Sequence, residues 1–150
     1  MTVIFVDSSY YIALVSPLDQ QHDKAKEIDT YLSEHGYLHL ITSNVVLSEV
    51  LAYFSKSTRC KPELRQAVGD AVTMLLKNRK FQVEELSSKL FDKSVTRYIN
   101  RLDKCYSLVD CSSMTIMENL GVKGVISFDG DFEDEGFIQI REESEFSKVM

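Results

Sequence analysis

Five short runs rich in Val, Ile and Phe (TVIFV, YLHLI, KFQVEEL, GVKGVISF and GFIQI) alternate along this chain with helical patterns, and that alternation constrains the fold more than any other feature. The helical patterns are SSYYIALV, a polar stretch from about Asp19 to His35, SNVVLSEVLAYFSK, PELRQAVGDAVTMLLKN with Pro62 at its start, SSKLFDKSVTRYINRL, and LVDCSSMTIMENLG stopped by Gly121. Strands separated by helices need crossover connections. The sequence therefore predicts a mainly parallel sheet of about five strands with helices on both faces, a three-layer α/β/α fold. With 150 residues and no repeat, low-complexity tract or linker, residues 1–150 read as a single domain.

Three carboxylates stand alone inside apolar stretches. Asp7 is the only charge among the first 18 residues, Glu49 the only one from Asn44 to Ser55, and Asp110 the only one from Cys105 to Met117. An isolated ionised carboxylate in hydrocarbon costs several kcal/mol or takes up a proton unless something compensates it. None of the three runs holds a Lys, Arg or His, so the economical explanation is convergence around a divalent cation. Helix capping is the competing reading for Asp7 and Asp110, which both stand where a helix begins. It does not serve for Glu49, which falls in mid-helix beside Val45, Val46, Val50 and Tyr53.

In a parallel sheet, Asp7 after the first strand and Asp129 after GVISF would both lie at strand carboxyl ends, where open α/β sheets bind ligands. Asp7, Glu49, Asp110 and Asp129 would then share one mouth. Four neighbouring carboxylates persist only if protons or cations neutralise them, and hard oxygen ligands favour Mg²⁺ or Mn²⁺ over zinc.

The ordered segments DSS, TSNVVLSEVL, YSLVDCSSMTIMENLG and VISFDGDF followed by EGF resemble the PIN-domain nucleases, particularly the toxin subunits of VapBC-type toxin-antitoxin pairs. The likeness runs from about Val3 to Ile140. It implies a PIN-like fold and a Mg²⁺- or Mn²⁺-dependent ribonuclease whose catalytic and metal-binding acids are Asp7, Glu49, Asp110 and Asp129. Ser8 resembles the hydroxyl residue that often follows the first acid, and Ser127 the Thr or Ser that often precedes the last. Asp103 resembles an accessory acid, and Val109 replaces a frequent Thr. Asp131 is an alternative fourth acid, although alignment on Ser127 and Phe132 favours Asp129. The resemblance also implies an RNA substrate, an antitoxin partner and a homodimer, with an amphipathic helix pair from about Lys56 to Asn78 as the surface for both proteins. A non-catalytic nucleic-acid-binding or scaffold module of the same fold, and a nuclease of RNA processing or repair, are the alternatives.

Charge is unevenly placed on a chain of net charge −6. From Asp129 to Glu145 eight acids face only Arg141, whereas Lys56 to Lys104 holds twelve basic residues and six acids. Lys89, Lys93, Arg97 and Arg101 recur every four residues, a stripe suited to RNA phosphates, with a solvated helix face as the plain reading. No apolar run reaches the roughly 18 residues of a membrane span. An acid in the first apolar stretch and the lack of a basic leader argue against a signal peptide. Three cysteines without CxxC spacing fit a reducing cytoplasm. His35 and His39 share a helical i,i+4 spacing, but Gly36 and the strand pattern after it set them off one helix.

Overall fold

The computed structural model describes residues 1–150. In chain order they form β1 (Val3–Val6), α1 (Ser8–Val15), α2 (His22–Glu34), β2 (His39–Ser43), α3 (Asn44–Tyr53), α4 (Pro62–Lys77), β3 (Phe81–Glu84), α5 (Ser88–Asn100), α6 (Leu108–Leu120), β4 (Gly124–Ile126), α7 (Asp131–Asp134), β5 (Ile138–Ile140) and a 3-10 helix, Glu143–Lys148. The five strands make one sheet in the order β3-β2-β1-β4-β5, and every pairing is parallel.

The sheet is parallel and flanked by helices, so its central strands show no polar alternation. Ile4, Phe5, Val6, Val125 and Ile126 are all fully buried. The strand order reverses at β1. The chain moves outward from β1 to β2 and β3, then returns to lay β4 against the other side of β1, with Val6 opposite Ile126. That reversal opens a crevice at the carboxyl ends of β1 and β4. Helix α6 leads into the crevice region and buries every residue from Cys111 to Met117, with the Ser112 and Thr115 hydroxyls donating to the Val109 and Cys111 carbonyls of the same helix. Tyr10, Tyr11 and Phe54 are core residues.

One expectation changes. The segment from Lys56 to Asn78 is not a helix pair: residues 54–59 are turns, and only α4 follows. Arg59 closes the turn by donating from Nε to the Tyr53 carbonyl at 3.0 Å, with its guanidinium 3.8 Å from the centre of the Tyr53 ring. The acidic stretch from 129 onward is integral to the domain. It supplies α7, β5 and the 3-10 helix, whose Phe146 is fully buried and stacks on Tyr31 at 4.3 Å. Val149 then fills the notch left by Gly124, where a Cβ would lie 2.8 Å from Val149 Cγ1. His35 terminates α2 and His39 begins β2, so the two do not form a helical pair. No helix is long and apolar enough to cross a membrane.

Candidate metal centre

Asp7 leaves the end of β1, its backbone N–H still donating to the Ile126 carbonyl at 3.0 Å. It occupies the cap position of α1 but makes no side-chain cap bond. Its carboxylate is committed across the sheet instead: Oδ2 accepts from Ser127 Oγ at 2.8 Å and from Ser9 Oγ at 3.0 Å. Oδ1 is buried without a partner. Burial pushes the Asp7 pKa up; the two serine hydroxyls oppose that shift, and the nearby charge of Asp129 adds to it.

Asp110 enters from α6. Ser107 caps that helix by accepting the Asp110 N–H at 3.1 Å, and Asp110 Oδ2 accepts the Ser107 N–H at 3.0 Å, a reciprocal capping box. Capping and site placement therefore coexist in one residue. Burial raises its pKa to about 7; the capping bond resists, and the charges of Asp7 and Asp129 assist.

The end of β4 contributes Asp129 and Asp131. Ser127 follows β4, is fully buried and accepts the Asp129 N–H at 3.1 Å. Asp129 Oδ1 in turn accepts the Asp131 N–H at 3.2 Å, which turns the chain into α7. One carboxylate oxygen from each of Asp110, Asp129 and Asp131 lies within 4.8 Å of the others. Burial, then the Asp129 charge, raises the Asp131 pKa.

Glu49 is half-buried on α3, outside this group of three, and its Oε1 accepts from Ser8 Oγ at 2.5 Å. Ser8 thus ties the acid of α3 to the residue beside Asp7. Asp103 is exposed and pairs with Arg101 at 3.1 Å, which holds its pKa low. In the basic stripe, Arg97 pairs with Glu118, and Arg101 with Asp103 and Glu135. Lys89 and Lys93 are exposed and have no acid partner. Lys93, Arg97, Arg101, Glu118 and Glu135 line a polar groove between α5 and α6.

Sequence reasoning missed Ser9, Ser107 and Gln139, whose Nε2 donates to the Ser127 carbonyl at 2.8 Å. The S-x-x-D spacing of Ser107 and Asp110 carries a capping signal, whereas Ser9 and Gln139 have none.

These residues fit a divalent cation. The donors are hard carboxylate oxygens, none of Asp7, Asp110, Asp129 or Asp131 is ion-paired with a basic side chain, and Asp7 keeps one buried oxygen unsatisfied. Like charges at this spacing hold protons or a cation.

Known proteins resemble this chain in sequence and in fold. A family model described as PIN domain matches residues 4–137. A relative from Mycobacterium tuberculosis, named 23S rRNA-specific endonuclease VapC20, is 31% identical over 141 residues, which is 94% of this chain and 100% of the relative. The crystal structure of Mycobacterium tuberculosis VapC20, described as a sarcin-ricin loop cleaving toxin, matches with a TM-score of 0.77 and 28% identity over 92% of this chain and 98% of that one. PAE2754 from Pyrobaculum aerophilum shares the fold, with a TM-score of 0.61 and 16% identity over 92% of this chain and 89% of that one.

Proposed function

This chain belongs to the PIN-domain family, and from that premise we propose that it is a Mg²⁺- or Mn²⁺-dependent endoribonuclease, the toxin of a type II toxin-antitoxin pair. The observation that carries the proposal is the meeting of Asp110, Asp129 and Asp131 within 4.8 Å, at the strand ends where Asp7 holds a buried, unpartnered oxygen. Asp7, Asp110 and Asp129 would hold the ion, with Asp131 adjacent and Glu49 contributing from α3. When bound, the ion supplies a coordinated water of lowered pKa and a counter-charge for the phosphodiester. The chain supplies the remainder. Asp7 is fixed by Ser9 and Ser127. Without the ion, burial raises the Asp110 pKa to about 7, and a bound cation would displace that proton and hold the carboxylate ionised as a ligand. Ser8 anchors Glu49 so that its other oxygen is free to orient a water.

RNA as substrate is supported by the name of the 31% identical relative, which makes 23S rRNA the first RNA to try. An antitoxin partner is supported by the description of VapC20 as a toxin. A homodimer and partner docking are consistent with the exposed Met74 and Leu76 of α4 and the exposed Phe91, Tyr98, Ile99 and Leu102 along α5 and just beyond it. Free cysteines suit a reducing cytoplasm.

The test is cleavage of 23S rRNA by the purified protein. Cleavage is expected with Mn²⁺ or Mg²⁺ and not with a chelator, and Asp110→Asn and Glu49→Gln should each lower it by about 10²-fold or more. Glu49→Gln keeps an acceptor for Ser8, so its stability should stay within about 0.5 kcal/mol of wild type. Cleavage that survives chelation, or survives both substitutions, overturns the proposal.

A further inference from the structure

We propose that Ser9 is a positioning residue that acts through Asp7, leaving that carboxylate a single oxygen with which to engage a cation. The inference rests on the metal-dependent reading above.

Ser9 lies in the first turn of α1 and is half-buried. Its Oγ stands 3.0 Å from Asp7 Oδ2, 3.2 Å from Ser127 Oγ, and accepts the Phe128 N–H at 2.9 Å. Ser127 is its counterpart. The Ser127 Oγ donates to the same Asp7 oxygen at 2.8 Å and accepts the Asp129 N–H at 3.1 Å. A serine hydroxyl has one proton to give, and a carboxylate oxygen has two lone pairs to receive. With each serine accepting a backbone N–H, both protons are satisfied together at Asp7 Oδ2, which is then fully used. Oδ1 remains, buried and unpartnered.

Two consequences follow from the single oxygen Oδ2. A carboxylate otherwise able to grip an ion through both oxygens is limited to one, with its plane fixed by two donors. The same two hydroxyls also suspend the consecutive amides of Phe128 and Asp129. Ser9 therefore sets the position of the first acid against the segment that carries Asp129 and Asp131. It does so without touching substrate, in the way outer groups orient the ligands of metal sites.

Isothermal titration of the intact protein with Mn²⁺ tests this. Ser9→Ala should weaken Mn²⁺ binding by about 10- to 100-fold, the range for loss of an orienting partner. Ser9→Thr, which restores the hydroxyl, should recover wild-type affinity. In the Asp7→Asn background, adding Ser9→Ala should cause no further loss, because the residue it acts through is already changed. If Ser9→Ala does not fold, Ser9→Cys keeps the shape with only a weak donor, and the same weakening is expected of it. Unchanged affinity in the folded variant, failure of Thr to restore binding, or a fully additive double variant overturns the inference and leaves the ribonuclease reading standing. A wild-type protein that binds no Mn²⁺ overturns both.

Discussion

Asp110→Asn should stabilise the metal-free protein at alkaline pH and leave it unchanged at acid pH. The substitution keeps the size of the side chain and an oxygen able to accept the Ser107 N–H, so what it removes is the ionisable group. In the folded state that group titrates at about 7, against 3.8 for an unperturbed aspartate. A raised carboxyl pKa means that the folded state binds the proton more tightly than the unfolded state. The associated stability is present in full below about pH 4 and is lost as pH rises through about 7. About three pKa units correspond to about 4 kcal/mol. The carboxyl keeps some contact with solvent, which reduces the expected effect to about 2 kcal/mol. For a chain of this size that is a rise in Tm of about 4–8 °C at pH 8, shrinking to nothing near pH 4. Calorimetry in a chelating buffer across pH 4–8 reads it directly, as the difference between the two proteins. Asp7 and Asp131 are also raised, so each protein keeps a slope of its own. Mn²⁺ should then raise the wild-type Tm more than that of the variant. A pH-independent difference, or a wild type more stable than Asp110→Asn at pH 8, refutes the reasoning.

Replacing Lys93, Arg97 and Arg101 together by Gln should flatten the salt dependence of RNA binding by only about 0.7 log units per log unit of salt, the worth of one single-strand phosphate contact. Arg97 and Arg101 already have acid partners, so a filter-binding slope that changes by about 2 would mean that those ion pairs open for RNA. Gly124→Ala should cost about 1–3 kcal/mol through overpacking against Val149, with Val149→Ala in the same chain recovering most of it in a denaturant titration.

The five strands and the six longer helices were legible because each carries its own periodicity, and α1 begins and ends where the SSYYIALV pattern does. The order of strands in the sheet was not written locally, since the placement of β4 beside β1 depends on contacts between residues some 120 positions apart. The acids were visible as isolated charges in apolar surroundings. Their division of labour was not. Asp110 caps through one bond while joining Asp129 and Asp131, and Glu49 stands apart, linked through Ser8. Ser9 carries no signal because a serine after an aspartate is ordinary in a helix's first turn. The uneven charge along the chain was evident, but its use within the molecule was not: Arg101 and Lys104 from the basic stretch pair with Glu135 and Asp134 of the acidic one. Those pairs bridge 30 or more residues and leave no mark on local composition.

The insertion of β4 beside β1 gives the centre a place in time as well as in space. Asp7 leaves the ribosome well before the Ser127 hydroxyl that fixes it, which is 120 residues behind. At about 5–20 residues per second, that interval lasts roughly 6–24 s. Until Gly124–Ile126 docks, β1 has an open edge and Asp7 has neither Ser127 nor the acids after it. Pairings of such long sequence separation form late, after their loop-closure entropy has been met. A chain extended only as far as α6 therefore holds Asp7 and Asp110 without Asp129 or Asp131, and the centre can assemble only once β4 has docked.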